Sequence, residues 1–288
     1  MIIPGLSTLT GRYDGYILDL WGVLHDGERP YPGALDCLER LRAAGKRICL
    51  LSNAPRRIGS VARLLAEMGI SSAHYHHLMT SGEATYEALS RPSDPWHARL
   101  GTTCLHLGPE RDREVFSDLP RIDRVDDPER AAFILNTGPS TYDDTPLDYG
   151  PVLEACVRRS LPMVCANPDI EVMIGTRVVT CAGAVAQRYR ELGGEVRYHG
   201  KPHASVYQRC FDLLGIADRR RIVALGDTLH TDVSGAIGAG IDAVLVSGGI
   251  LCSRLGSRWG EPPDPGRLAE VLAGAEASPI AVLPRLAW

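Results

Sequence analysis

Short apolar runs bounded by turn residues alternate along this chain with longer stretches in which apolar positions recur every three to four residues, the pattern of βαβ units and a parallel sheet. Residues 16–20 and 47–51 read as strands, and 31–44 and 56–68 as amphipathic helices. After a turn at Ser81-Gly82 the pattern restarts, with strands at 103–107, 132–135 and 163–165 and helical segments around Asp112 and Leu153. This middle stretch reads as a small α/β unit of its own. Past Gly193-Gly194 the first layout resumes: a helix over 204–214, a strand over 221–225, a helix near 232–239 and a strand over 243–246. A loop crowded with proline and glycine at 256–266 then precedes a last helix, 267–273, and an edge strand, 279–283. The fold class is therefore α/β.

Composition narrows this picture. A length of 288 residues suits about two domains. With 44% hydrophobic and 23% charged residues the chain can bury a core, which excludes disordered and fibrous classes. The balance of 31 basic against 35 acidic residues leaves no basic field for a nucleic acid. No run approaches the roughly 20 apolar residues that span a bilayer, and residues 1–10 lack a basic segment leading into an apolar one. The expectation is a cytoplasmic protein with neither nucleic acid nor membrane as partner. Its eight cysteines (37, 49, 104, 156, 165, 181, 210 and 252) are dispersed and mostly apolar in context, and read as reduced core residues.

In an open parallel sheet ligands collect at the carboxyl ends of the strands. Four polar residues fall there: Asp19, Ser52, Lys201 after a Gly-Lys-Pro turn, and Asp227. They supply a carboxylate nucleophile, a hydroxyl, a cation and a second carboxylate. Two carboxylates converging in one crevice repel each other unless a cation lies between them. A hard divalent ion such as Mg²⁺, which takes carboxylates, waters and a substrate phosphate as ligands, resolves this. Ser52, nearby backbone N–H groups and Lys201 would hold the remaining phosphate oxygens while Asp19 attacks in line.

The stretches Asp19-Leu20-Trp21-Gly22-Val23-Leu24, Leu51-Ser52-Asn53, Gly200-Lys201-Pro202 and Gly226-Asp227-Thr228-Leu229-His230-Thr231-Asp232, in this order, resemble the motifs of the haloacid dehalogenase superfamily, subclass IIA, the NagD-like phosphatase group. The resemblance implies a Rossmann-like parallel-sheet core of residues 1–81 and 190–288, with residues 82–189 inserted as a C2-type α/β cap. It implies an Mg²⁺-dependent hydrolase of a small phosphorylated metabolite acting through an aspartyl-phosphate at Asp19. Ser52, Asn53 and Lys201 would bind the phosphate, and Lys201 would share in catalysis. Asp19, the Trp21 backbone carbonyl and Asp227 would hold the metal, with Asp232 in support. Asn167 and Asp169, in Asn167-Pro168-Asp169, would either contact substrate or serve the turn alone. A homodimer is left open.

One position departs from the family. A second aspartate, the general acid and base, usually stands two residues after the nucleophile, where this chain has Trp21. General acid–base help is worth about 10²- to 10⁴-fold. His25, Asp26 and His203 are candidate substitutes by position. Two other readings follow from the loss: a phosphometabolite-binding protein with decayed catalysis, and a carbon–halogen hydrolase, which the retained Lys201 and Asp227 argue against. The glycine-rich 235–240 segment reads as helix packing and a helix stop, and His74, His76 and His77 as an ordinary partly exposed segment.

Overall fold

The computed structural model describes residues 1–116, 119, 121–175 and 177–288. The main unit begins with β1 (Gly15–Leu18), α1 (Ala34–Ala43), β2 (Arg47–Ser52), α2 (Ile58–Glu67) and β3 (His77–Thr80). A second unit follows: α3 (Ser81–Ser90), α4 (Pro95–Ala98), β4 (Thr103–Leu107), β5 (Asp123–Val125), β6 (Phe133–Asn136), α5 (Gly150–Arg158) and β7 (Met163–Cys165). It continues through β8 (Glu171–Ile174), β9 (Arg177–Thr180), α6 (Ala182–Glu191) and β10 (Val196–Tyr198). The chain then returns to the main unit with α7 (Ala204–Leu214), β11 (Ile222–Gly226), α8 (Ser234–Gly238), β12 (Asp242–Val246), α9 (Pro265–Ala273) and β13 (Ala281–Leu283).

The main sheet has the order β13-β12-β11-β1-β2-β3 and is parallel throughout. Its strands read as unbroken apolar runs because both faces are covered. Leu18, Ile48, Leu50, Val223 and Leu225 pack on one side. Ile17, Cys49, Leu51, Ala224 and Leu245 pack on the other. β1 lies between β11 and β2, so the chain runs outward to either side of it, and the crevice at its carboxyl end is where such sheets bind ligands.

The second unit carries a parallel five-stranded sheet, β10-β7-β6-β4-β5, and the antiparallel pair β8-β9. Its outer strand, Val196–Tyr198, lies past residue 189, because Val196 and Tyr198 pair in register with Met163 and Cys165. The five-stranded sheet thus extends through Tyr198.

Several boundaries differ from the sequence pattern for local reasons. α1 starts at Ala34, not residue 31, because Pro32-Gly33 makes a turn with Gly33 at φ 88°. The segment around Asp112 is a 3₁₀ turn, Glu110–Val115. The helix expected near 232–239 is a π turn, Leu229–Val233, running into α8, and it is capped by Thr228. The Thr228 hydroxyl accepts from the N–H groups of Thr231 and Asp232. Gly235 packs against Pro202 and Tyr207, and Gly240, at φ 81°, follows the helix end, so the glycine-rich stretch is packing and a stop. Seven of the eight cysteines are buried and all eight are free. Among the described residues no helix is long and apolar enough to cross a membrane.

Candidate active site

Each of the four polar residues at the strand ends reaches the same crevice. Asp19 continues β1 by one ladder bond, its N–H donating to Leu225 O at 2.9 Å. Its Oδ1 accepts from the Leu20 N–H at 2.8 Å and sits 2.7 Å from Lys201 Nζ. Among the described residues nothing donates to Asp19 Oδ2, so one oxygen is pinned and the other is aimed. Lys201 Nζ also donates to Asp232 Oδ1 at 2.7 Å. The Asp232 Oδ2 in turn accepts from the Thr228 N–H at 3.2 Å and hydroxyl at 2.8 Å. Asp232 is thus both tied to the helix cap and part of the charged cluster.

Asp227 completes the group, its Oδ2 accepting from the Ile250 N–H at 2.7 Å. One carboxylate oxygen from each of Asp19, Asp227 and Asp232 lies within 4.8 Å of the others. Burial pushes the Asp19 carboxyl well up, against the pull of Lys201. Burial and the Asp232 charge raise Asp227 to about 7. Burial would lower Lys201, but Asp19 and Asp232 outweigh it and keep the ammonium charged. Three carboxylates thus face one ammonium, a buried acidic cluster whose mutual repulsion a cation relieves.

The backbone has been kept bare to let these groups approach. A Cβ at Gly22 would lie 1.9 Å from Asp227 Oδ2, one at Gly249 2.1 Å from it, and one at Gly226 1.9 Å from Asp232 Cγ. This cradle and an all-oxygen donor set suit a hard divalent cation. Gly226→Ala is therefore expected to force Asp232 aside and destabilise the fold by about 1–3 kcal/mol, the cost of overpacking. Thermal denaturation checks this, and an unchanged midpoint would mean that Asp232 is free to move.

Asn53, Asn167 and Asp169 form a second network beside the first. Asn53 Nδ2 donates to Asp169 Oδ1 at 2.8 Å and to Lys201 O at 3.1 Å, while its Oδ1 accepts from the Lys201 N–H at 2.7 Å. The Asn53 side chain is therefore committed to holding Lys201 and Asp169. Asn167 Oδ1 accepts from the Asp169 N–H at 2.9 Å, an Asx turn, and Asn167 also lines the cavity over Asp19. Ser52, buried at the end of β2, accepts the Ala54 N–H at 3.1 Å.

Two cavities meet at Asp19. One, about 170 Å³, extends from Asp19, Ser52 and Trp21 toward α2 and the β8-β9 pair. The other, about 300 Å³, contains Lys201, Asp227 and Asp232. Trp21 lines both. Its indole packs over Gly27, whose φ is 98°, and edge-on to His25 with ring centroids 5.2 Å apart.

None of the three candidate substitutes for the missing acid is a ready proton donor. His25 is buried, accepts the Gly27 N–H at Nδ1, and is pushed down to about 4 by desolvation, so it is neutral. Asp26 is held below the usual carboxylate range because the Arg29 and Glu28 N–H groups outweigh its desolvation, so it is ionised. His203 stacks on Tyr198, 5.6 Å between centroids, and lines a separate cleft.

The sequence reading placed Thr228, Gly22 and Gly226 inside its motifs without giving them roles, and it missed Gly249 and the apolar wall that β8-β9 raises over Asp19. The wall had a signal: two apolar runs, 171–174 and 177–180, separated by two residues beginning with Gly175.

Residues 16–119 match the family model described as haloacid dehalogenase-like hydrolase, and residues 198–275 that described as HAD-hydrolase-like. A solved haloacid dehalogenase-like hydrolase from Brucella suis 1330 is 33% identical, with a TM-score of 0.83 covering 99% of this chain and 100% of that one. The chain belongs to the haloacid dehalogenase-like hydrolases. Within the family it is similar to rat chronophin, 28% identical over 254 residues that make up 85% of this chain and 80% of chronophin. It is also similar to a solved 4-nitrophenylphosphatase from Thermotoga maritima, 25% identical with a TM-score of 0.70, covering 95% of each chain. The chain is thus a phosphatase-type hydrolase of the NagD-like group, subclass IIA, with a Rossmann-like α/β core. Trp21 stands two residues after Asp19 in this chain.

Proposed function

We propose that this protein is an Mg²⁺-dependent phosphomonoester hydrolase of a small phosphorylated metabolite that works through an aspartyl-phosphate at Asp19. The observation that carries this is the single buried cluster in which Lys201 Nζ bridges Asp19 and Asp232 at 2.7 Å beside Asp227. Asp19, with Oδ1 fixed by Leu20 and Lys201, presents Oδ2 to phosphorus. A bond forms from this oxygen to phosphorus as the bond to the ester oxygen breaks, and the electron pair leaves with that oxygen. Water then attacks phosphorus, the Asp19–phosphorus bond breaks, and inorganic phosphate departs.

Lys201 and the Ser52 hydroxyl bind the phosphoryl oxygens and balance their charge. Asn53 acts through Lys201 and Asp169, positioning both. Asp19, the Trp21 carbonyl and Asp227, with Asp232 in support, would hold Mg²⁺, which when bound supplies positive charge to the transferring group. Residues from Ser81 to His199 would act as the cap, since Asn167, Asp169 and the β8-β9 pair cover the crevice.

The test is phosphate release from a panel of phosphomonoesters with and without Mg²⁺, in wild type and Asp227→Ala. Turnover in wild type that needs Mg²⁺, and a raised Mg²⁺ requirement or no activity in Asp227→Ala, is expected. Activity that survives in Asp227→Ala with an unchanged Mg²⁺ requirement would overturn the metal assignment. Phosphate and metal binding without turnover would favour the decayed binding protein.

A further inference from the structure

Away from the acidic crevice, a cleft of about 890 Å³ opens between α3, α4, β10 and the start of α7, and His97, His199 and His203 line it. His97 and His199 face each other, Nε2 to Nε2, at 3.0 Å. The Asp94 carboxylate lies 2.6 Å from His97 Nδ1 and, as an acceptor only, fixes the hydrogen of that ring on Nδ1. His97 Nε2 is therefore a bare lone pair aimed at the second ring. A histidine whose far nitrogen donates to a carboxylate is the usual form of a metal ligand, because the carboxylate sets the tautomer and raises the basicity of the near nitrogen.

Neither ring depends on the other for its place. Asp94 Oδ1 caps α4, accepting from the Trp96 and His97 N–H groups at 2.9 and 3.1 Å. The Trp96 indole donates to Glu195 Oε1 at 2.6 Å, which ties α4 to the residue before β10. The His199 N–H donates to Cys165 O at 2.9 Å and carries the pairing of β10 with β7 one residue past Tyr198. With both backbones held, little ordering is left for an ion to impose. At bond lengths of about 2.0–2.1 Å, two nitrogens 3.0 Å apart subtend roughly 95° at an ion, and a tetrahedral angle needs only about 0.3–0.4 Å more separation. Ring centroids 5.1 Å apart set the nitrogens nearly tip to tip, so the rings share an ion by tilting toward the cleft.

We infer that His97 and His199 form a site for a nitrogen-preferring divalent ion such as Zn²⁺, separate from the acidic crevice. Imidazole suits Zn²⁺, Ni²⁺ and Cu²⁺ whereas carboxylate oxygens suit Mg²⁺, so the two sites take different ions. The ion replaces the hydrogen between the two rings, which His199 then carries on Nδ1. Among the described residues no third His, Cys, Asp or Glu ligand atom converges on the pair. Water from the cleft completes the shell, and the ion exchanges, unlike zinc in the closed four-ligand sites that serve structure. His203 takes no part, since its ring stacks on Tyr198 with centroids 5.6 Å apart. Both ligands stand near the points where the chain passes between its two units, His97 in the second helix after β3 and His199 two residues ahead of Lys201.

The experiment adds one equivalent of Cu²⁺, a spectroscopic stand-in for Zn²⁺, to the full chain in excess Mg²⁺ and reads nitrogen couplings by electron paramagnetic resonance. Calorimetry with Zn²⁺ in the same buffer gives the affinity. Two imidazole nitrogens should couple to Cu²⁺ in the wild type, a signature that the oxygen ligands of the acidic crevice cannot produce. His97→Ala and His199→Ala should each remove the two-nitrogen signal, and His203→Ala should keep it. Asp94→Asn, which retains an oxygen to cap α4, should weaken Zn²⁺ binding about 10- to 100-fold by freeing the His97 tautomer. A wild-type spectrum without nitrogen couplings overturns the inference and needs no variant to fold. So does a two-nitrogen spectrum that survives both histidine substitutions, or a Zn²⁺ affinity that neither of them changes.

Discussion

Asp19→Asn is expected to remove turnover, by about 10⁴-fold or more, while leaving the fold in place. The magnitude follows from the role. An amide oxygen is too weak a nucleophile to displace an alkoxide or phenolate, and losing a nucleophile costs at least about 5 kcal/mol of transition-state stabilisation. The fold should survive because Asn keeps the shape, and the Leu20 N–H retains an acceptor in place of Asp19 Oδ1. Lys201, though buried, keeps Asp232 at 2.7 Å. Removing one of three carboxylates that face a single ammonium also relieves repulsion, so the thermal midpoint in a metal-free buffer should hold or rise. Initial rates and thermal denaturation decide it. Turnover within tenfold of wild type would take Asp19 out of the nucleophile's place.

The same cluster shows why much of this protein was legible in its sequence. Strands buried on both faces cannot tolerate polar residues, so β1, β2, β11 and β12 stand out as apolar runs, and the first polar residue after each is conspicuous. Asp19, Ser52 and Asp227 are such residues, and Lys201 lies where the chain re-enters the main unit. What the pattern hid were elements whose residues face two ways. β10 is a three-residue edge strand, Val-Arg-Tyr, with Arg197 exposed, and α6 carries Gln187, Arg188 and Arg190 among its buried positions. The hairpin β8-β9 packs its apolar face on a cavity instead of a core, so its alternation marks a wall around a ligand and gives no sign of which ligand. The role of the glycines was equally hidden: Gly22 and Gly226 fall in the quoted motifs, but which carboxylates they and Gly249 make room for appears only in the folded loops.

Trp21→Asp should raise turnover of alkyl phosphates, by at most about 10²- to 10⁴-fold, and flatten the dependence of rate on leaving-group pKa. In the wild-type crevice neither the indole nor His25 or Asp26 supplies a proton to a departing alkoxide, so rates should fall steeply as the leaving group becomes more basic. A carboxylic acid two residues after the nucleophile, on the loop whose side chain 21 already faces both cavities, can deliver that proton. The substitution also removes an indole that packs on Gly27 and His25, and so leaves a void beside the nucleophile. Trp21 is only partly buried, so the cost should stay below that of losing a fully buried aromatic, about 3–5 kcal/mol, but rates must still be compared on protein shown to be folded and able to bind Mg²⁺. Aryl phosphates should gain little, because their phenolate leaves without an acid. The discriminating measurement is a plot of log kcat/KM against leaving-group pKa for both proteins. Equal slopes would mean that the proton already comes from another group. Asp169 is then the residue to examine, since it lines both cavities and burial pushes its carboxyl up, against the pull of Lys201 and the Asn53 hydrogen bond. A carboxyl raised in that way can serve as the proton donor to an alkoxide forming beside it, and Asp169→Asn would then steepen the slope relative to wild type.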